Sequence, residues 1–188
     1  MNEYQKRILR YLNKMKRLLG HDYAYKGPTD FIMQHGVWYK PRELPSRFWK
    51  GAPMSCYGNS IIVAMMTGLR YVEGYAYTPV ADEIHHHAWN IDSDGRVFDT
   101  TWVHFGGSGL AYIGVEFLWE RAEEATWDGD ATILNDFHRG WPILKDKWMG
   151  ERLIWESMTT VQRARIAKWK SKIENTEEWS YLRATYGG

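Results

Sequence analysis

The sequence predicts an α+β fold, in which one buried helix packs on an antiparallel β-sheet and further helices lie towards both ends of the chain. Residues 56–66 contain a run that is apolar on nearly every side, as expected of a helix in the middle of a domain. Residues 70–77 and 85–91 alternate with the period of two that is typical of strands, and residues 96–102 return after a strong turn. Strands that follow one another closely favour antiparallel pairing.

Length and composition limit the kinds of protein that this chain can be. Its 188 residues predict a single domain, 1–188, and 44% hydrophobic with 25% charged residues is an ordinary balance for a soluble protein. Because there is one cysteine, an internal disulfide is excluded. No stretch approaches the ~20 apolar residues of a membrane span, and the N-terminus lacks a secretory pattern. We therefore expect a cytoplasmic protein without a membrane partner.

Both ends of the chain are basic. Residues 1–20 contain a basic amphipathic helix, with six Lys and Arg against one Glu. Residues 148–188 predict a C-terminal helical extension, in which 161–174 carry five Lys and Arg against one Glu. Because residues 21–160 have a net charge of −7, we expect the basic ends to dock on this acidic body. Alternatively, the basic ends form a surface for a protein or nucleic-acid partner. Of these two partners, nucleic acid is the one that we do not expect.

The segment from residue 21 to 53 shows neither helical nor strand periodicity, and four Xaa-Pro steps interrupt it. We expect an irregular segment that wraps on the core. Because binding residues often lie on loops that a scaffold holds in place, it is also a candidate for one wall of a groove. Gln34 and His35 are the polar candidates there.

The lone cysteine, Cys56, is a candidate nucleophile. Ser55 is a candidate N-cap, which places Cys56 in the first turn of the buried helix. At a helix N-terminus, unpaired backbone N–H groups and the helix dipole stabilise a thiolate, and the same groups stabilise an oxyanion. Most free cysteines are simply small buried residues, so the assignment of Cys56 depends on the histidine and aspartate downstream of it.

A predicted hairpin over 85–102 supplies the other two groups. If Gly95 takes a left-handed position after a type I turn, paired residue numbers sum to 188, His87 faces Thr101, and Asp99 lies diagonal to His87 on the same face. A plain four-residue loop would place the two side chains on opposite faces. The bulged turn therefore brings a base and an orienting acid together, and with the cysteine they form a candidate Cys56–His87–Asp99 triad.

These groups stand in sequence blocks that carry a family resemblance. Besides the cysteine that opens a buried helix, the blocks are Tyr-Val-Glu-Gly-Tyr at 71–75, His-Ala-Trp-Asn at 87–90, Asp-Thr-Thr-Trp at 99–102 and Tyr-Ile-Gly-Val at 112–115. Together they resemble the transglutaminase-like cysteine-protease superfamily, and in particular a compact group found in bacterial and bacteriophage genomes. The resemblance covers a catalytic core of residues 50–118.

The resemblance implies a papain-like core, in which the nucleophile helix packs on the sheet that carries the base and the acid. It implies Cys56 as nucleophile, His87 as base and Asp99 as orienting acid. Two features depart from the family pattern. Thr100 follows the aspartate where the family often has proline, and His85 and His86 are neighbouring rivals for the base.

The triad predicts cysteine-dependent acyl transfer, with hydrolysis of an amide or peptide bond through a thioester as the default. An amine in place of water would give a transglutaminase-type acyltransferase, and the triad does not choose between the two. A further alternative is a non-catalytic binding module that uses the basic termini for a protein or nucleic-acid partner.

A metal site is another alternative. His85 and His87 share a strand face, and three further candidate ligands are near in sequence: Asp82, Glu83 and His104. Adjacent histidines without a third ligand at a typical spacing are weak evidence for zinc or nickel. We therefore expect neither a metal nor a cofactor.

Overall fold

The computed structural model describes residues 1–15, 22–127 and 132–155. In chain order the elements are α1 (Glu3–Met15), α2 (Pro28–His35), β1 (Val37–Tyr39), α3 (Cys56–Thr67), β2 (Arg70–Thr78), β3 (Glu83–Ile91), β4 (Val97–Phe98), β5 (Ala111–Phe117), α4 (Trp119–Trp127), α5 (Pro142–Lys145) and α6 (Lys147–Trp155). A 3₁₀ helix, Trp102–Phe105, follows β4. The four strand pairings are antiparallel, which confirms an α+β fold with an antiparallel sheet.

The sheet has the strand order β1-β5-β2-β3-β4 and curls until its two edges meet. Lys40, just beyond β1, donates its N–H to the Gly95 carbonyl at 3.0 Å and accepts the N–H of Val97 at 3.0 Å. The concave side is filled by apolar side chains, among them the fully buried Trp89. A Cβ on Gly114 would lie 2.8 Å from the Trp89 ring, so this glycine makes room for the indole.

Helix α3 packs on the opposite face of the sheet. Its Ile61 and Ala64 belong to the same buried cluster as Tyr71 and Tyr75 of β2. The Asn90 side chain of β3 donates to the Ser60 carbonyl of α3 at 2.9 Å. The apolar run of the sequence thus forms a central helix, as predicted, and fixes the position of its first residue against the sheet.

The predicted register of the hairpin is confirmed. Asn90 pairs with Phe98 and Ile91 with Val97, so that paired numbers sum to 188. Gly95 has a φ of 70°, and its N–H donates to the Asp92 carbonyl at 3.1 Å. The left-handed glycine therefore sets the pairing on which the proximity of residues 87 and 99 depends.

The predicted length of the returning strand is wrong. Strand β4 ends at Phe98 rather than Trp102, so Thr101 is not paired across from His87. The reason is local: Asp99 Oδ1 accepts the backbone N–H groups of Thr101 and Trp102, both at 3.0 Å. A side-chain acceptor that takes nearby backbone donors turns the chain out of the ladder.

The segment 21–53 is not irregular throughout, contrary to the expectation. Pro28 occupies the first turn of α2, where its missing N–H costs nothing, and Phe31 and Ile32 are fully buried. Strand β1 then joins the sheet edge, where Trp38 pairs with Ile113. Tertiary burial gives these short elements a stability that their own periodicity does not indicate.

The N-terminal helix docks on the sheet, as its charge and amphipathic pattern predict. Ile8 and Leu12 are fully buried, and Tyr4 stacks on Tyr77 of β2 with ring centroids 4.9 Å apart. Arg7 forms an ion pair with Asp82 in the β2–β3 loop.

The predicted continuation of this helix beyond residue 15, and the C-terminal extension beyond residue 155, lie outside the described residues. Within the described part, no helix has the length and apolar character needed to cross a membrane.

Candidate active site

The candidate base and acid are in direct contact. His87 Nε2 donates to Asp99 Oδ2 at 2.8 Å, and both side chains are buried. The same Asp99 oxygen accepts the hydroxyl of Tyr112 at 2.9 Å, and the other oxygen binds the two backbone N–H groups described above. Four donors therefore hold one carboxylate in a fixed orientation beneath the imidazole.

Their electrostatics favour an ion pair. Burial opposes the charged form of Asp99, but the charge and hydrogen bond of His87 and two backbone N–H groups hold its pKa below the ordinary value. Burial likewise opposes the imidazolium, yet the charge and hydrogen bond of Asp99, followed by those of Cys56, raise the pKa of His87 to about 10. At neutral pH the structure therefore favours the charged forms of both groups, a protonated His87 paired with an ionised Asp99.

Cys56 meets the other side of the imidazole. It is the first residue of α3, is partly exposed, and lies close enough to His87 to be among the groups that raise the pKa of the histidine. Because Nε2 faces Asp99, Nδ1 is the ring nitrogen left for the thiol. Ser55 occupies the N-cap position, as predicted, but its side chain does not cap the helix. The sulfur therefore lies beside the imidazole, and a hydrogen bond joins the imidazole to the carboxylate.

The ring of Trp102 covers the imidazole. Its centroid lies 4.1 Å from that of His87, and the two planes differ by 10°. Only 8% of Trp102 is exposed, so the stacked indole keeps water from one face of the histidine. This contact restricts rotation of the imidazole and adds to the orientation that the carboxylate imposes.

Asn59 joins the loop before the cysteine to the turn after the aspartate. Its Oδ1 accepts the Ala52 N–H at 3.0 Å, and its Nδ2 donates to the Ala52 carbonyl at 2.7 Å and to Thr101 Oγ1 at 2.8 Å. The side chain is 3% exposed. Sequence reasoning missed both this residue and Tyr112, since their roles depend on partners that are distant in the chain.

The neighbouring histidines have other partners. His85 lies beside Glu83, with Nε2 and Oε2 3.3 Å apart. His86 Nδ1 accepts the hydroxyl of Tyr57 at 2.9 Å, and burial together with His87 lowers the pKa of His86 to about 4. The structure therefore pairs His87, rather than either rival, with the carboxylate.

The alternative metal ligands do not converge. His104 Nε2 donates to the Gly51 carbonyl, away from His85. Within residues 1–15, 22–127 and 132–155, no group of three or more His, Cys, Asp or Glu side chains is placed to hold a metal ion. Gln34 and His35, the weak groove candidates, lie on α2, where they bind Asp30 and Tyr25 respectively.

Cys56 and His87 face a cavity of about 370 Å³, here called the Cys56 cavity. Cys56 and His87 lie in its wall, together with Trp102, Met54, Val80 and Phe105. A small molecule or an extended chain that enters this space can therefore place a carbonyl carbon against the sulfur.

Comparison with known proteins adds no second source for the function. Neither a protein-family model, a curated protein nor a solved structure matches this chain significantly. The chemistry of the site is therefore the basis on which a function rests.

Tyr112→Phe is expected to destabilise the fold by about 1–3 kcal/mol, because the hydroxyl has two buried partners. It donates to Asp99 and accepts the Gly109 N–H at 2.6 Å, so the N–H would lose its partner and the carboxylate would lose one of its four donors. Urea unfolding measures the change. Tyr39→Phe is the matched control, since that buried hydroxyl makes a longer contact, 3.4 Å, with Glu116. An equal loss in both variants would contradict the special role of Tyr112.

Proposed function

We propose that this protein is a cysteine-dependent acyl-transfer enzyme that hydrolyses an amide or peptide bond. One observation carries the proposal: a partly exposed thiol at the start of a buried helix lies beside an imidazole that binds a buried carboxylate at 2.8 Å. This is the arrangement of a nucleophile, a base and an orienting acid. It supports membership of the transglutaminase-like cysteine-protease superfamily, with a papain-like core. We also propose a cytoplasmic location, where the single thiol of the chain would stay reduced.

In the first half of the reaction, the Cys56 thiolate attacks the carbonyl carbon and a C–S bond forms. The oxyanion lies near the unpaired N–H groups of the first turn of α3, which stabilise the negative charge. Protonated His87 donates its proton to the leaving amine as the C–N bond breaks. Asp99 keeps the imidazolium in place throughout, and the product is a thioester on Cys56.

In the second half, water attacks the thioester while His87 acts as the base. Acylation removes the negative charge on sulfur, which is one of the causes that raise the pKa of His87 in the free enzyme. The imidazole therefore gives up its proton more readily in the thioester state, as the base step requires. The C–S bond then breaks, a carboxylic acid leaves, and the proton returns to the thiol–imidazole pair.

Alkylation of Cys56 by iodoacetamide tests the proposal. A cation beside the sulfur and the N-terminus of a helix are the surroundings typical of reactive cysteines, so we expect labelling at pH 7 at least about tenfold faster than that of N-acetylcysteine. Intact-mass spectrometry follows the reaction, which is specific because the chain has one cysteine.

His87→Gln provides the comparison, because it removes the charge and leaves a polar side chain of similar size. We expect this variant to label at the rate of the free thiol. His138→Gln is the matched control, since His138 is exposed and lies away from the Cys56 cavity, and it should label as the wild type does. Wild-type labelling no faster than that of N-acetylcysteine would refute the proposed function.

A further inference from the structure

The Cys56 cavity has an apolar wall. Its volume of about 370 Å³ lies within the usual range for small-molecule sites. Five of its eleven lining residues have apolar side chains: Met54, Val80, Ala81, Trp102 and Phe105. The remaining lining residues that the structure describes are threonines, histidines and the cysteine itself, and none is Asp, Glu, Lys or Arg.

Three of these apolar side chains are unusually exposed. Met54 is 89% exposed, Val80 60% and Phe105 42%. They come from three separate segments: the loop before α3, the β2–β3 loop and the 3₁₀ helix. Val80 Cγ2 lies 3.8 Å from the position that a Cβ would take on Gly106, so two of these segments adjoin at the rim. Exposed apolar groups gathered in one place indicate a binding surface.

The acidic side chains of the β2–β3 loop and the start of β3 do not supply a charge to this surface. Asp82 is on the same loop as Val80, but it binds Arg7 and the hydroxyl of Tyr77. These three residues line a separate depression against α1. Glu83 lies beside His85. His87, the protonated group in the wall, is already paired with Asp99. A charged substrate group placed in the Cys56 cavity would therefore lose water without gaining an unpaired opposite charge.

We propose that the Cys56 cavity binds the acyl side of the substrate, and that this acyl group is apolar and uncharged, such as an aliphatic or aromatic side chain next to the scissile carbonyl. This inference rests on the proposed function. The acyl group stays bonded to Cys56 through both steps, whereas the amine must leave and give way to water. A cavity that adjoins the sulfur is thus placed to hold the acyl group.

Two esters of matched size test the charge preference. The probes are 4-nitrophenyl 6-methylheptanoate and the mono-4-nitrophenyl ester of adipic acid, whose acyl groups differ in a terminal isopropyl against a carboxylate. With either ester, the sulfur bonds to the carbonyl carbon, the C–O bond breaks, 4-nitrophenolate leaves, and water then releases the acid. We expect kcat/KM to be at least about tenfold higher for the apolar ester, the discrimination typical of an apolar pocket.

Val80→Lys places a cation at the rim and should lower this ratio by about tenfold, because the adipate carboxylate gains a charged partner. Val37→Lys is the matched control: Val37 is 52% exposed on β1, away from the cavity, and its substitution should leave the ratio unchanged. Circular dichroism verifies that both variants fold.

The outcomes separate the two proposals. The apolar acyl site would be overturned if both esters acylated Cys56 equally well, or if Val80→Lys did not change the ratio of their kcat/KM values. Neither result would contradict the thiol mechanism. If neither ester releases 4-nitrophenolate faster than with Cys56→Ala, and neither leaves an acyl adduct on Cys56 in intact-mass spectra, the proposed function fails and the acyl site fails with it.

Discussion

Cys56→Ala is expected to abolish acyl transfer, with a loss on the order of 10⁶-fold in kcat, because the variant has no group that can form the thioester. The fold should persist, since Cys56 is partly exposed and its thiol packs little apolar surface. Release of 4-nitrophenolate from 4-nitrophenyl esters of aliphatic acids measures the activity, and thermal unfolding measures the fold. Turnover at the wild-type rate in this variant would exclude a mechanism through sulfur.

Asp99→Asn is expected to lower kcat by about 10⁴-fold, because an amide neither fixes the imidazole tautomer nor stabilises its protonated form. The same ester assay measures the change. Asp136→Asn is the matched control: Asp136 is 2% exposed and binds Arg139, outside the Cys56 cavity. We expect that variant to keep its activity. A similar loss of kcat in both variants would show that activity depends on a buried carboxylate in general and not on the contact between Asp99 and His87.

The pH dependence of the free energy of unfolding gives a second test of Asp99→Asn. The folded-state pKa of Asp99 is lowered, so its contribution is present above the unfolded value, about 3.9, and is lost as the pH falls through the folded value. The pKa of His87 is raised to about 10, so its contribution is present below about 6.5 and is lost as the pH rises through about 10. In Asp99→Asn, both dependences should weaken, as urea unfolding at a series of pH values would show.

The features that the sequence predicted well are local. The period of two in β3 and the Asp-Ser-Asp-Gly turn determine the hairpin register, and the structure has that register. The contact between His87 and Asp99 follows from it. The buried helix was predictable because its apolar run is continuous and Gly68 ends it with a φ of 79°.

The features that the sequence did not predict depend on distant partners. Asn59 and Thr101 are 42 residues apart, and nothing in the local pattern of either indicates their hydrogen bond. The early end of β4 depends on how the Asp99 side chain binds nearby backbone, which residue spacing alone does not express. Helix α2 is short and gains its stability from burial against the sheet, so its weak periodicity gave no signal.

The contact that joins the two edges of the sheet has a consequence for the behaviour of the molecule in a crowded solution. Backbone N–H and C=O groups on a free edge can pair with a strand of another chain, which is a common route to aggregation. Here Lys40 uses its own backbone groups to bind Gly95 and Val97. The curled sheet thereby occupies at this point the hydrogen-bonding groups that an intruding strand would need.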